Sequence, residues 1–134
     1  MTLTHGLPLW IGSAFLLLSL TAIARPQGWL AFYAALARQG ESAGLVCGVL
    51  NIMFGAFLLT FHWEWNGWAW VLSLIGVAAL AEGLLFALFP ASFLRLLDII
   101  TSEGDAAIRM LRFAACAKLL LALAILQEWR TAVS

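Results

Sequence analysis

From Trp68 to Phe89 the chain reads WAWVLSLIGVAALAEGLLFALF, with Glu82 as its one ionisable residue. A helix needs roughly 17–25 predominantly apolar residues to cross the hydrocarbon core of a bilayer, so this stretch is long enough to span one. Three more stretches of the same character lie at about Leu7–Ala24, Ala43–Phe61 and Ala107–Leu126. Backbone N–H and C=O groups find no water in lipid and must bond to one another, which makes helices of all four. Little chain remains outside them, and residues 1–134 read as a single membrane domain.

Composition agrees. The chain is 64% hydrophobic and 10% charged, whereas an average soluble chain carries about 25% charged residues. Its mean hydropathy is +1.01. Seven Lys and Arg balance seven Asp and Glu, which removes the electrostatic basis for binding nucleic acid. Seven Trp and nine Phe supply rings suited to lipid–water boundaries.

Basic residues set the expected orientation. No Lys or Arg precedes Arg25, so the first span lacks the positive leading region of a secretory signal and is expected to be retained. Arg25, Arg38, Arg95, Arg109 and Arg112 lie in or beside the connections between spans 1 and 2 and between spans 3 and 4, while the other side has Arg130. Positive charge favours the cytoplasmic side. Both connections are therefore expected inside a bacterial inner membrane, with both termini and the turn at residues 62–67 outside. Trp63, Trp65, Trp68 and Trp70 would stand in the outer aromatic belt.

Displacing the chain by 64 positions gives a consistent ungapped register. Ile11-Gly12 falls on Ile75-Gly76, Pro26 on Pro90, Gly40 on Gly104, and Glu64-Trp65 on Glu128-Trp129. Pro, Gly and Glu-Trp matches carry more weight than apolar ones in so apolar a chain. The register predicts a duplication, with repeats at about 7–65 and 71–129, each a helical hairpin whose connection begins on proline. Within the connections, Trp29, Phe32, Tyr33 and Leu36 fall at i, i+3, i+4 and i+7, as do Phe93, Leu96, Leu97 and Ile100. That spacing makes an apolar stripe on a helix, and two short amphipathic helices in the cytoplasmic interface are expected. With two spans per repeat, the halves point the same way and are related by an axis along the membrane normal.

Ala81-Glu82-Gly83-Leu84, then Phe89-Pro90-Ala91-Ser92-Phe93, and later Arg112-Phe113 resemble the YjeT-like family of small bacterial inner-membrane proteins with about two helices. The likeness covers about Leu74 to Trp129, and the first half looks like a diverged copy in which Leu18 stands where Glu82 does. The resemblance implies the hairpin architecture and brings no activity with it.

Ionisable residues inside spans are costly and point to function by default. Glu82 lies eight residues from Pro90, and Lys118 nine from Arg109. At about 1.5 Å per residue both sit roughly 12–14 Å deep. If spans 3 and 4 are antiparallel neighbours, the two can pair, and Asn51 reaches a similar depth in span 2. A polar centre of Asn51, Glu82 and Lys118 is expected, serving either as a proton or solute relay or as a structural ion pair. Gly44, Gly48, Asn51 and Gly55 fall on one face of span 2, and Gly76, Ala79 and Gly83 on one face of span 3. Small residues there allow close approach of another helix, inside the bundle or on a partner.

Buried b-type haem requires axial histidines within the spans; His5 and His62 lie outside them. Cys47 and Cys116 form no CxxC and are expected as buried free thiols. No HExxH, GxSxG, P-loop or GxGxxG occurs. Neither catalysis, a metal nor a cofactor is therefore expected. The sequence predicts an all-α, four-span protein acting as an accessory subunit that packs against larger membrane protein subunits. A small oligomeric transporter or channel built on Asn51, Glu82 and Lys118 is the alternative. Lipid bilayer surrounds it in either case, and a flat apolar surface can take a lipid or pigment without any motif.

Overall fold

Proline supplies no backbone N–H, so it is tolerated at a helix start, where that donor is unused. Pro26 and Pro90 each open a thirteen-residue helix just after a span ends. The computed structural model describes residues 3–102 and 104–134. These residues form six helices and no strand: α1 Leu3–Ala24, α2 Pro26–Arg38, α3 Glu41–Phe61, α4 Trp70–Leu88, α5 Pro90–Ser102 and α6 Asp105–Val133. Helices α1, α3, α4 and α6 are long and apolar enough to cross a membrane. Gly40 (φ 71°) and Gly104 (φ 56°) turn the chain from α2 into α3 and from α5 into α6. Positive φ is strained for other residues.

The helices pair across the expected halves. α3 lies antiparallel along α4, and α1 along α6, whereas α4 meets α6 only slightly. The hairpins expected within each half (α1 with α3, α4 with α6) are thus not the packed pairs. Glycine placement explains the α3–α4 pairing. A Cβ on Gly48 would lie 2.6 Å from the Ala87 nitrogen, and one on Gly55 2.6 Å from the Leu80 nitrogen. The two backbones are in contact there, at a distance only glycine permits.

At one end of the bundle, Leu7, Ile11, Leu58, Val71, Leu72 and Ile125 form an apolar core drawn from all four long helices. At the other end α2 and α5 pack on each other, α5 beneath α3 and α4 and α2 against α1 and α6. Ala43, Phe86, Phe93 and Leu97 make a second core there, flanked by Tyr33 and Leu36. The two amphipathic stripes are accordingly divided. Phe93 and Leu97 are buried against protein, Trp29, Tyr33, Leu36 and Ile100 are half-buried, and Phe32 and Leu96 are exposed. α5 under the ends of α3 and α4, and α2 beside α1 and α6, cover those ends with the same side chains that would otherwise face lipid.

The fourth span is also longer than its apolar run. Gln127, Glu128 and Arg130 end the run at Leu126, yet α6 continues to Val133. Backbone hydrogen bonding does not depend on side-chain polarity, and the added turns meet His62, the residue just after α3.

Candidate functional site

The structure does not assemble the expected polar centre. Glu82 and Lys118 are both exposed, on the outward faces of α4 and α6, and neither pairs with any described residue. Their helices are not the antiparallel neighbours that a direct pair requires. Asn51 is half-buried on α3, and its side chain makes no hydrogen bond among the described residues. The glycines fare differently. Gly48, Gly55 and Gly83 lie in the α3–α4 contact, where a Cβ on Gly83 would meet the Ile52 nitrogen at 2.6 Å. Gly76 faces Leu59 of α3, and Gly44 faces Pro90 and Phe93 at the start of α5. Both faces are thus turned to helices of the same chain.

A different polar cluster forms at the opposite end of the bundle from α2 and α5. His62 follows the last turn of α3 and is buried, and Glu128 lies buried near the end of α6. The His62 Nε2 is 3.3 Å from the Glu128 Oε1 and 3.2 Å from the Ala69 carbonyl oxygen. A ring nitrogen facing a carbonyl oxygen and a carboxyl oxygen together is placed to donate to them, so Nε2 carries the hydrogen. Ser73, fully buried on α4, completes the cluster. Its Oγ accepts the Glu64 N–H at 3.1 Å and donates to the Glu64 carbonyl at 2.6 Å. The connection between α3 and α4 is thereby tied to α4 through Ser73 and to α6 through His62.

Glu128 Oε2 in this cluster is unpartnered among the described residues, as is the indole nitrogen of Trp129, the next residue along α6. Chemically, the cluster can hold the carboxyl of Glu128 in place and pass a proton between His62 and Glu128. No three His, Cys, Asp or Glu side chains converge on a metal-sized space among the described residues, and the His5 side chain lies outside those described. Cys47 is half-buried and Cys116 exposed. The burial expected of both thiols therefore fails for Cys116, which lies on the outward face of α6 because its helix has few neighbours there.

Residues 62 and 128 are far apart in the sequence, so no local spacing announces the pair. The available signals were the Glu64-Trp65 and Glu128-Trp129 match and a histidine at the end of a span.

No protein-family model, curated protein or solved structure matches this chain.

Proposed function

We propose that the chain is an accessory subunit of a larger bacterial inner-membrane complex, held there by helix packing and without catalysis of its own. The observation that carries this is the outward placement of Glu82 and Lys118. A charged residue at the centre of a span costs about 2.5–3.5 kcal/mol on insertion scales. Within this bundle neither side chain finds a described counter-charge to offset that cost. Polar groups of neighbouring membrane subunits, set against α4 and α6, would offset it. The same two residues exposed on separate helices give no continuous polar path for a solute, which weighs against the transporter.

The proposal also takes the chain as two parallel halves, for which the element bounds give support. α2 and α5 are of equal length, both begin on proline, and both lead into a glycine with positive φ. An offset of 64 residues exchanges the α1–α6 pair with the α4–α3 pair, as an axis along the membrane normal would. The arginines around α2 and α5 support an orientation with that end in the cytoplasm and both termini in the periplasm.

The deciding experiment is purification from native membranes in mild detergent, with mass determination and identification of what co-elutes. A stoichiometric particle with larger subunits is expected. Glu82→Leu and Lys118→Leu together should leave this chain inserted and release it from that particle. A stable particle of this chain alone would overturn the proposal.

A further inference from the structure

The two sides of the bundle differ in one respect that their shared register brings out. On the α3–α4 side, Gly83 brings the backbones together, and Phe86 fills the space above α5, stacking edge-on against Phe93 with ring centroids 5.0 Å apart. Counted 64 residues back, the corresponding positions are Ser19, Ala22 and Trp29. The smaller Ala22 leaves unfilled what Phe86 fills. A cavity of about 120 Å³ results between α1, α2 and α6, lined among others by Phe15, Ser19, Ala22, Trp29, Tyr33 and Lys118.

The cavity contains an unmet polar demand. Ser19 is 1% exposed, and its hydroxyl has no hydrogen-bond partner among the described residues. A serine in a helix ordinarily satisfies itself on the carbonyl one turn back; this one does not. Leaving such a group unpaired is unfavourable, so an oxygen brought by a ligand would relieve it. The Trp29 indole nitrogen already donates to Thr21 at 3.2 Å. Burial pushes the Tyr33 hydroxyl above its ordinary pKa, which keeps it a donor. The Ser19 hydroxyl hydrogen has no acceptor, and no carboxylate lines the space to supply one. An acceptor atom on the ligand meets that demand.

Size and walls narrow the class. This space is somewhat smaller than an apolar cavity of about 150 Å³ that accepts benzene and is open on one side, so it suits one edge of a six-membered ring, with the ring substituents and tail outside. Phe15, Trp29 and Tyr33 offer aromatic walls for it, and aromatic rings pack favourably face-offset or edge-on. Leu18, Ala114 and Lys118 line the cavity and are exposed, so it opens towards the surroundings of the helices, and a membrane-dissolved molecule can enter sideways.

We propose that the α1/α2/α6 cavity binds the carbonyl-bearing ring of a membrane-soluble, quinone-type lipid. Ser19 donates to a ring carbonyl, Trp29 and Tyr33 flank the ring, and the lipid tail leaves past Leu18 and Ala114 into the bilayer. This holds whether or not the chain is an accessory subunit.

The test is photolabelling with a short-tailed azidoquinone in phosphatidylcholine nanodiscs, followed by peptide mapping. Label should fall on peptides containing Trp29 and Tyr33 or residues 111–118, and excess ubiquinone-1 should protect them. Ser19→Ala should weaken protection about three- to ten-fold, the loss of one hydrogen bond. Ala22→Phe should abolish labelling by placing a ring where Phe86 has one, while Ala14→Phe, on the exposed side of α1, should leave it unchanged. Far-UV circular dichroism checks that each variant folds. Should Ala22→Phe not fold, Ser19→Ala alone decides. Unchanged protection in Ser19→Ala, undiminished labelling in a folded Ala22→Phe, labelling spread over outer faces, or protection by dodecanoate and not ubiquinone-1 would each overturn the proposal.

Discussion

His62 and Glu128 show what a single buried contact does at the end of this bundle. His62 is 3.3 Å from Glu128, and both are shielded by α3, α4 and α6. Removing one partner of such a contact strands the other, and a stranded buried polar group costs about 1–3 kcal/mol. His62→Leu should lower stability by that amount in a denaturant titration of the detergent-solubilised protein. Glu128→Gln, which keeps an acceptor for Nε2, should lose less. The double variant His62→Leu/Glu128→Leu should recover part of the single loss, because apolar replacement of both members leaves nothing unpaired. A double loss equal to the sum of the single losses would show that the two side chains do not act on each other. In the sequence His62 stands only as a histidine at the outer edge of a span, outside the reach of a buried haem. The residue that gives it a role lies on a helix at the other end of the chain.

Among the helices, glycine has a different meaning at each site. In α3 a Cβ on Gly48 or Gly55 would meet backbone atoms of α4 at 2.6 Å. Backbone cannot step aside, so Gly48→Ala and Gly55→Ala should each destabilise by about 1–3 kcal/mol, as overpacking does. In α1 a Cβ on Gly12 would meet the Leu126 side chain at 2.8 Å, and a leucine can shift its rotamer, so Gly12→Ala should cost less. Gly28 in α2 has nothing within 4 Å of an added Cβ. Gly28→Ala should stabilise by roughly 0.5–1 kcal/mol through the lower entropy of the unfolded chain. A thermal-melt series on the four variants gives the ranking, and a Gly48→Ala protein as stable as the parent would deny the close α3–α4 approach. The small-residue faces were visible in the sequence because spacing alone puts Gly48 and Gly55 on one side of a helix. Which helix they meet was not, since an internal and an external partner demand the same smooth surface.

Across the whole molecule, the ends differ in chemistry. Arginines cluster around α2 and α5, while Trp63, Trp65, Trp68 and Trp70 stand exposed around the opposite turn. With the arginine end in the cytoplasm, Ser134→Cys should react with a membrane-impermeant maleimide in intact cells. Gln39→Cys should react only after the membrane is permeabilised. The reverse pattern would invert the topology.

Four apolar runs, their lengths, and the prolines and glycines that bound α2 and α5 follow from local rules, and the sequence determined them unaided. Hydropathy, helix period and proline chemistry act within a few residues of each other. Helix partners did not follow from it. Lipid leaves every apolar face equally content, so hydrophobicity does not rank α1–α6 against α1–α3, and backbone contact at particular glycines does. With that choice, Glu82 and Lys118 came to face outward, His62 met Glu128, and Ala22 left open the space beside Ser19. These were decided only by the tertiary structure, because each depends on residues that the chain brings together from separate helices.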